Sequence, residues 1–89
     1  MTRRLLQIAL TDELRAEIAR QHRTIVGLAS STGITERTLQ RRLSGVGEFR
    51  STEIDLLAAA LDVDVGVLHA RAHAALESAM RRHPAGSAL

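Results

Sequence analysis

The stretch Leu28-Ala29-Ser30-Ser31-Thr32-Gly33-Ile34-Thr35-Glu36-Arg37-Thr38-Leu39-Gln40-Arg41-Arg42-Leu43-Ser44-Gly45 leaves its backbone few options. A glycine takes the left-handed conformation that ends many helices at no Cβ cost, so Gly33 marks a stop. Thr35 follows two residues later with the side chain of an N-cap, and Ile34 is placed to staple the turn between them. Thr24 is a second such cap, ahead of Ile25, Leu28 and Ala29, which recur as one inward face. Leu39 and Leu43 recur in the same way after Thr35. The pattern predicts two short helices, 25–31 and 36–44, joined by a tight turn at Gly33.

The chain has 89 residues, enough for one small domain and too few for two. Hydrophobic residues make up 45% of it, yet Phe49 is its only aromatic. A core of Leu, Ile, Val and Ala favours packed helices over a sandwich or barrel, whose strands draw on aromatic and β-branched side chains. Runs such as Leu56-Leu57-Ala58-Ala59-Ala60-Leu61 add high intrinsic helix propensity. The expected class is all-α.

Outside the central pair, Thr11-Asp12-Glu13 has the look of an N-cap followed by first-turn acids, which predicts a helix from Asp12 to Gln21 behind an N-terminal arm, 1–11. The competing signal is Leu6, Leu10, Leu14 and Ile18, recurring every four residues as one longer helix requires. Gln21-His22-Arg23 forms a short connection, and Gly45-Val46-Gly47 a flexible loop. Ser51 or Thr52 is placed to cap a helix over Glu53–Leu61 that turns Ile54, Leu57, Ala58 and Leu61 to one side. Asp64 caps a fifth helix reaching Arg82, with an apolar stripe of Val65, Leu68, Ala72, Ala75 or Leu76, and Ala79. This gives a folded unit over 12–68, a helical extension over 69–83 that is a candidate dimerisation surface, and a disordered tail over 84–89 around Pro84.

Several function classes are disfavoured. There is no Cys, hence no disulfide and no thiolate metal site, and no apolar run approaches the ~20 residues of a membrane span. Leu5–Leu10 is shorter than a secretory core and lacks a small-residue cleavage site, so a cytoplasmic protein of a prokaryotic cell or phage-infected host is expected. His69, His73 and Glu77 lie four apart on one helical face, but with no ligand converging from another segment they read as a solvated face. Without a phosphate loop, nucleophile elbow or paired carboxylates, no enzyme activity, cofactor, metal or small-molecule ligand is expected. All 12 basic residues are Arg, which fits GC-rich coding as well as chemistry. Their distribution says more. Arg37, Arg41, Arg42 and Arg50 face only Glu36 and Glu48 between Thr35 and Arg50, whereas Glu53, Asp55, Asp62 and Asp64 follow with no Arg before Ala70. A basic segment followed by an acidic one gives the molecule an orientation toward a polyanion.

Leu28-Ala29, then Gly33-Ile34-Thr35, Thr38-Leu39, Arg41 and Gly45, followed by Ile54-Asp55-Leu56-Leu57-Ala58-Ala59-Ala60-Leu61-Asp62-Val63 and Leu68, resemble the phage repressor and Cro-type (XRE) helix-turn-helix family over Asp12–Leu68. The resemblance implies a compact five-helix, lambda-repressor-like domain that inserts helix 36–44 into the DNA major groove. By that resemblance Glu36, Arg37, Thr38, Gln40 and Arg41 would read base edges. Arg suits guanine O6 and N7, Gln suits adenine N6 and N7, and Glu accepts from cytosine N4. Thr24, Thr35, Arg42, Arg50 and Ser51 would contact phosphate. The implied partner is double-stranded DNA with a palindromic operator, bound by a homodimer, and the implied role is a transcriptional regulator, repressor or Cro-like. The chain departs from the family at Ile25, where a phosphate-contacting Gln is common, at Gly27, at Thr32 and Arg42, where apolar residues are usual so that Leu43 is left to supply the core contact, and at Asp62 in place of a frequent Gly. The alternative is an antitoxin or adaptor that uses the same scaffold to bind protein.

Overall fold

In a computed structural model that describes residues 3–82, the chain forms α1 (Arg3–Arg20), α2 (Ile25–Thr32), α3 (Glu36–Leu43), α4 (Ser51–Ala60) and α5 (Val65–Arg82). The domain is all-α with five helices, as expected, and no strand occurs among the described residues. None of the described helices is long and apolar enough to cross a membrane. The tail expected over 84–89 lies outside the described residues.

Seven leucines hold the helices together. Leu10, Leu14, Leu28, Leu39, Leu57, Leu61 and Leu68 are all less than 2% exposed, and every helix supplies at least one or, with Leu61, its terminal cap. Burying such a side chain is worth about 1.5–3 kcal/mol relative to leaving it in water. Phe49 closes the core from the α3–α4 connection. The predicted inward set of α4 (Ile54, Leu57, Ala58, Leu61) is buried in full. On α5 the stripe is buried at Leu68 and Ala72, half-buried at Val65, Leu76 and Ala79, and exposed at Ala75.

The N-terminal arm is a correction. Residues 3–10 are helical and continuous with 11–20, so the four-residue recurrence of Leu6, Leu10, Leu14 and Ile18 prevails over the cap-like Thr11-Asp12-Glu13. The reason is visible at Thr11. Its hydroxyl donates to the carbonyl of Gln7 at 3.0 Å, the back-bond of a threonine inside a helix, and so does not cap a helix of its own. Both α1 and α5 have 18 residues, ~27 Å at 1.5 Å per residue, and α5 runs back along α1.

A buried carboxylate ties this pair together. Glu17 is 6% exposed and receives hydrogen bonds from Gln21 (2.8 Å), from Arg71 of α5 (3.0 Å) and from Arg20. The Gln21 hydrogen bond is the main influence holding its carboxyl below the ordinary value of 4.5, with Arg71 and Arg20 adding to it against the opposing effect of burial. Beyond Glu17, α1 and α4 end alike. His22 (φ 54) and Asp62 (φ 55) are left-handed, and the next residue reaches back in each case, Arg23 N–H to Ile18 O at 3.0 Å and Val63 N–H to Ala58 O at 2.9 Å. Asp62 thus adopts the conformation a glycine would supply there. Gln21 Nε2 and Arg23 Nη1 then donate to the end carbonyls of α4, Leu61 O at 2.7 Å and Ala60 O at 2.8 Å.

Candidate nucleic-acid interface

The two helices of the central motif start on their threonines. Thr24 Oγ1 accepts the Gly27 N–H at 3.0 Å, and Thr35 Oγ1 accepts the Thr38 N–H at 3.2 Å. Gly27 costs a helix about 1 kcal/mol relative to Ala, and its surroundings are close. A Cβ on it would stand 3.0 Å from the Thr24 hydroxyl oxygen, and at Gly66 a Cβ would stand 2.9 Å from the carboxylate of Asp64, the cap of α5. Gly33 (φ 79) ends α2, donating to Ala29 O at 2.9 Å. Thr32 is buried beside it. Its hydroxyl donates to Leu28 O at 2.7 Å and accepts the Ile34 N–H at 3.1 Å, so this polar residue is satisfied at a site where apolar ones are common.

Leu39 is fully buried and sets the rotation of α3. The helical period then places Arg37 and Arg41 on the opposite side and Gln40 on the flank, while Glu36 stands at the open first turn, and all four are exposed. Among the described residues none of these four side chains makes a hydrogen bond or ion pair, whereas Arg20, Arg42 and Arg71 all pair with a carboxylate. Glu36 lies in the first turn and Arg41 in the last, the signs the helix dipole favours. Thr38 differs from its neighbours. It is half-buried, and its hydroxyl accepts from that of Thr35 at 2.9 Å, which engages it at the helix start.

Arg42 is the residue that the phosphate assignment fits least. Only 21% of its side chain is exposed, and its Nε lies 3.3 Å from Glu53 Oε1, the oxygen that also accepts the Arg50 N–H at 2.8 Å. One carboxylate therefore joins the end of α3 to the start of α4. The loop fits closely around this strut, since a Cβ on Gly47 would come within 2.7 Å of Arg42 Nη1. The junction also corrects the expected cap of α4. Arg50 is the N-cap, Glu53 closes on its backbone N–H, and Ser51 and Thr52 are already helical. Leu43, expected to supply a core contact in place of Arg42, is half-buried and packs against the core beside the fully buried Leu39.

The proposed contact residues fall into two groups. Gln40 shares an open hollow with Ile25, Leu43, Ser44 and Arg15, whose Nη1 is 3.5 Å from Leu43 O. Arg15 carried no functional signal in the sequence, because only the packing of α1 on α3 brings it to this face. Arg50 and Ser51, both exposed, instead line a cleft of about 360 Å³ with Arg3, Glu48, Asp55 and His69, and no α3 side chain lines it. An Arg3–Glu48 ion pair at 3.3 Å borders that cleft. His69 bonds Val65 O at 2.9 Å, and no three potential metal ligands converge among the described residues. Comparison with models of known families, with characterised proteins and with solved structures finds no match to this chain.

Proposed function

We propose that the protein is a sequence-specific double-stranded DNA-binding transcriptional regulator, repressor or Cro-like, that reads the major groove with α3. The observation that carries this reading is the outer face of α3. Glu36, Arg37, Gln40 and Arg41 are exposed and unengaged by other described residues, on a helix anchored from behind by Leu39 and preceded by the tight turn at Gly33. Arg37 and Arg41 offer paired donors suited to guanine, Gln40 suits adenine, and Glu36 suits cytosine N4 while opposing a misplaced phosphate. Thr24, Thr35 and Arg15 are positioned to add phosphate contacts near α2 and α3, with Arg50 and Ser51 as a second group at the start of α4. In this reading Arg42 supports α3 from behind and Thr38 steadies its first turn. Such a domain works as a homodimer on a palindromic operator in the cytoplasm, because one copy contacts a single half-site.

Selection of bound duplexes from a random pool tests the reading directly. The expected result is a palindromic consensus whose half-sites lie about one helical turn apart and whose preferred bases change in the Arg37→Ala and Gln40→Ala proteins. Enrichment of no sequence, or a consensus unchanged by both substitutions, overturns it. The antitoxin or adaptor reading gains if the pool yields nothing while a partner protein protects Arg37 and Arg41.

A further inference from the structure

Two hollows beside the α3–α4 connection meet at one acid. The cleft that holds Arg50 and Ser51 is also lined by Arg3, Gln7 and Glu48. A second hollow, of about 150 Å³, is lined by Arg4, Gly45 and Gly47, and again by Gln7 and Glu48. The continuation of α1 as far as Arg3 brings Arg3 and Arg4 to this place. Three exposed arginines, Arg3, Arg4 and Arg50, therefore stand around Glu48. Among the described residues Arg4 and Arg50 pair with no carboxylate, whereas Arg3 lies 3.3 Å from Glu48. Asp55 and His69 complete the charged lining of the first cleft. Asp55 stands one turn into α4 past Ser51, and His69 has one ring nitrogen bonded to Val65 O.

We propose that Glu48 is an electrostatic restraint on DNA binding. It holds Arg3 in the free protein and keeps negative charge where Arg3, Arg4 and Arg50 would otherwise grip backbone phosphate together. This rests on the reading of the protein as a DNA-binding domain, and it concerns the sequence-independent part of that binding. The Arg3–Glu48 pair is open to solvent, with side chains 82% and 48% exposed, so it contributes little to the fold. Its position gives it a different effect. A phosphate entering among the three arginines must displace Glu48 from Arg3 and then stand beside its charge, and both oppose binding. Phosphate contacts set affinity without reading sequence. Glu48 therefore loosens the hold on every duplex alike and leaves the bases chosen by α3 unchanged. A looser hold on bulk DNA, which offers a vast excess of competing sites, leaves more of the protein free to reach its operator.

Binding of the full chain to a duplex of random sequence, measured across a salt series, provides the test. Glu48→Gln should bind about fivefold more tightly at low salt, with the slope of log affinity against log salt steeper by about one unit. Asp62→Asn makes the same change of net charge at the far end of the ten-residue α4, and Asn accepts the left-handed backbone there. That end lies about 15 Å from Arg50, beyond the Debye length of about 10 Å at 0.1 M salt, so this control should change binding less than about twofold. In an Arg3→Ala background the gain from Glu48→Gln should shrink to about twofold. All three positions are exposed, so each variant should keep the helical spectrum of the parent. Equal gains in Glu48→Gln and Asp62→Asn overturn the proposal, as does no gain in Glu48→Gln or a gain undiminished in the Arg3→Ala background. The sequence-reading role fails separately. Random-duplex binding with no enriched consensus overturns that role and leaves this one standing, whereas no duplex binding by any of these proteins overturns both.

Discussion

Two groups of arginines in this domain have opposite surroundings. Arg20, Arg71 and Arg42 each meet a carboxylate, Glu17 for the first two and Glu53 for the third, and Arg23 holds the carbonyl of Ala60 at the end of α4. Arg37 and Arg41 project from α3 with no such partner among the described residues. In the first group the guanidinium joins one helix to another (Arg71, Arg42), secures a helix end (Arg23) or braces Glu17 within α1 (Arg20). In the second it contributes nothing visible to the fold, and its charge and paired donors remain available to an external anion. Residue type is the same in both groups, and Arg41 and Arg42 are adjacent in the chain. What separates those two is which side of α3 they occupy.

The sharpest way to test that contrast is within α3 itself. Leu39→Ala should destabilise the fold by about 2–5 kcal/mol in chemical denaturation. Arg37→Ala, two residues away on the outer side, should leave stability within about 0.5 kcal/mol and cost about 1–3 kcal/mol of binding to a selected DNA site. Comparable losses of stability in the two variants would remove the distinction between the inner and outer faces.

Glu17→Gln should cost roughly 1–2 kcal/mol, since its hydrogen bonds are charge-assisted but Arg20 and Arg71 are partly exposed to solvent. The pH dependence has a defined sign. The folded state depresses the carboxyl, so its contribution is complete above the ordinary value of 4.5 and is lost as pH falls through the lower folded value. Wild-type stability should decline in that acid range more steeply than that of Glu17→Gln. Parallel pH profiles would show that Glu17 is no more strongly held in the folded chain than in the unfolded one.

Arg42→Ala and Arg50→Ala separate a strut from a phosphate contact by effects of about 1 kcal/mol or less. Arg42→Ala should lower stability by about 1 kcal/mol and barely alter the slope of DNA affinity against salt. Arg50→Ala should leave stability nearly unchanged and reduce that slope by about one unit. A reversal of the two outcomes would return Arg42 to the phosphate-binding group.

Much of the fold was legible because short-range chemistry decided it. Thr24, Thr35 and Asp64 cap as their side chains and neighbours predict, and the inward set Ile54, Leu57, Ala58, Leu61 follows from helical period alone. The failures occurred where two local signals competed. Thr11-Asp12-Glu13 can start a helix or continue one, and the choice falls to continuation because Leu6, Leu10 and Leu14 find a core to enter. Ser51 and Thr52 were eligible caps, but Glu53 already closes on the Arg50 N–H, one residue earlier. Of the candidate site, Arg37, Gln40 and Arg41 were legible from the position of Leu39, and Glu36 from its place directly after the cap Thr35. Arg15 was not, because its place depends on α1 packing against a segment nearly thirty residues away.

The sequence by itself determined the all-α class, the turn at Gly33 and the outward face of α3, since caps, glycine backbone freedom and helical period act over only a few residues. Tertiary structure alone decided which arginines are struts, how far α1 extends, and that Leu5 and Ile8 share a surface with Ala75 and Ala79. Those outcomes depend on contacts between residues far apart in the chain, where charge partners and buried surface are selected only once the helices have packed.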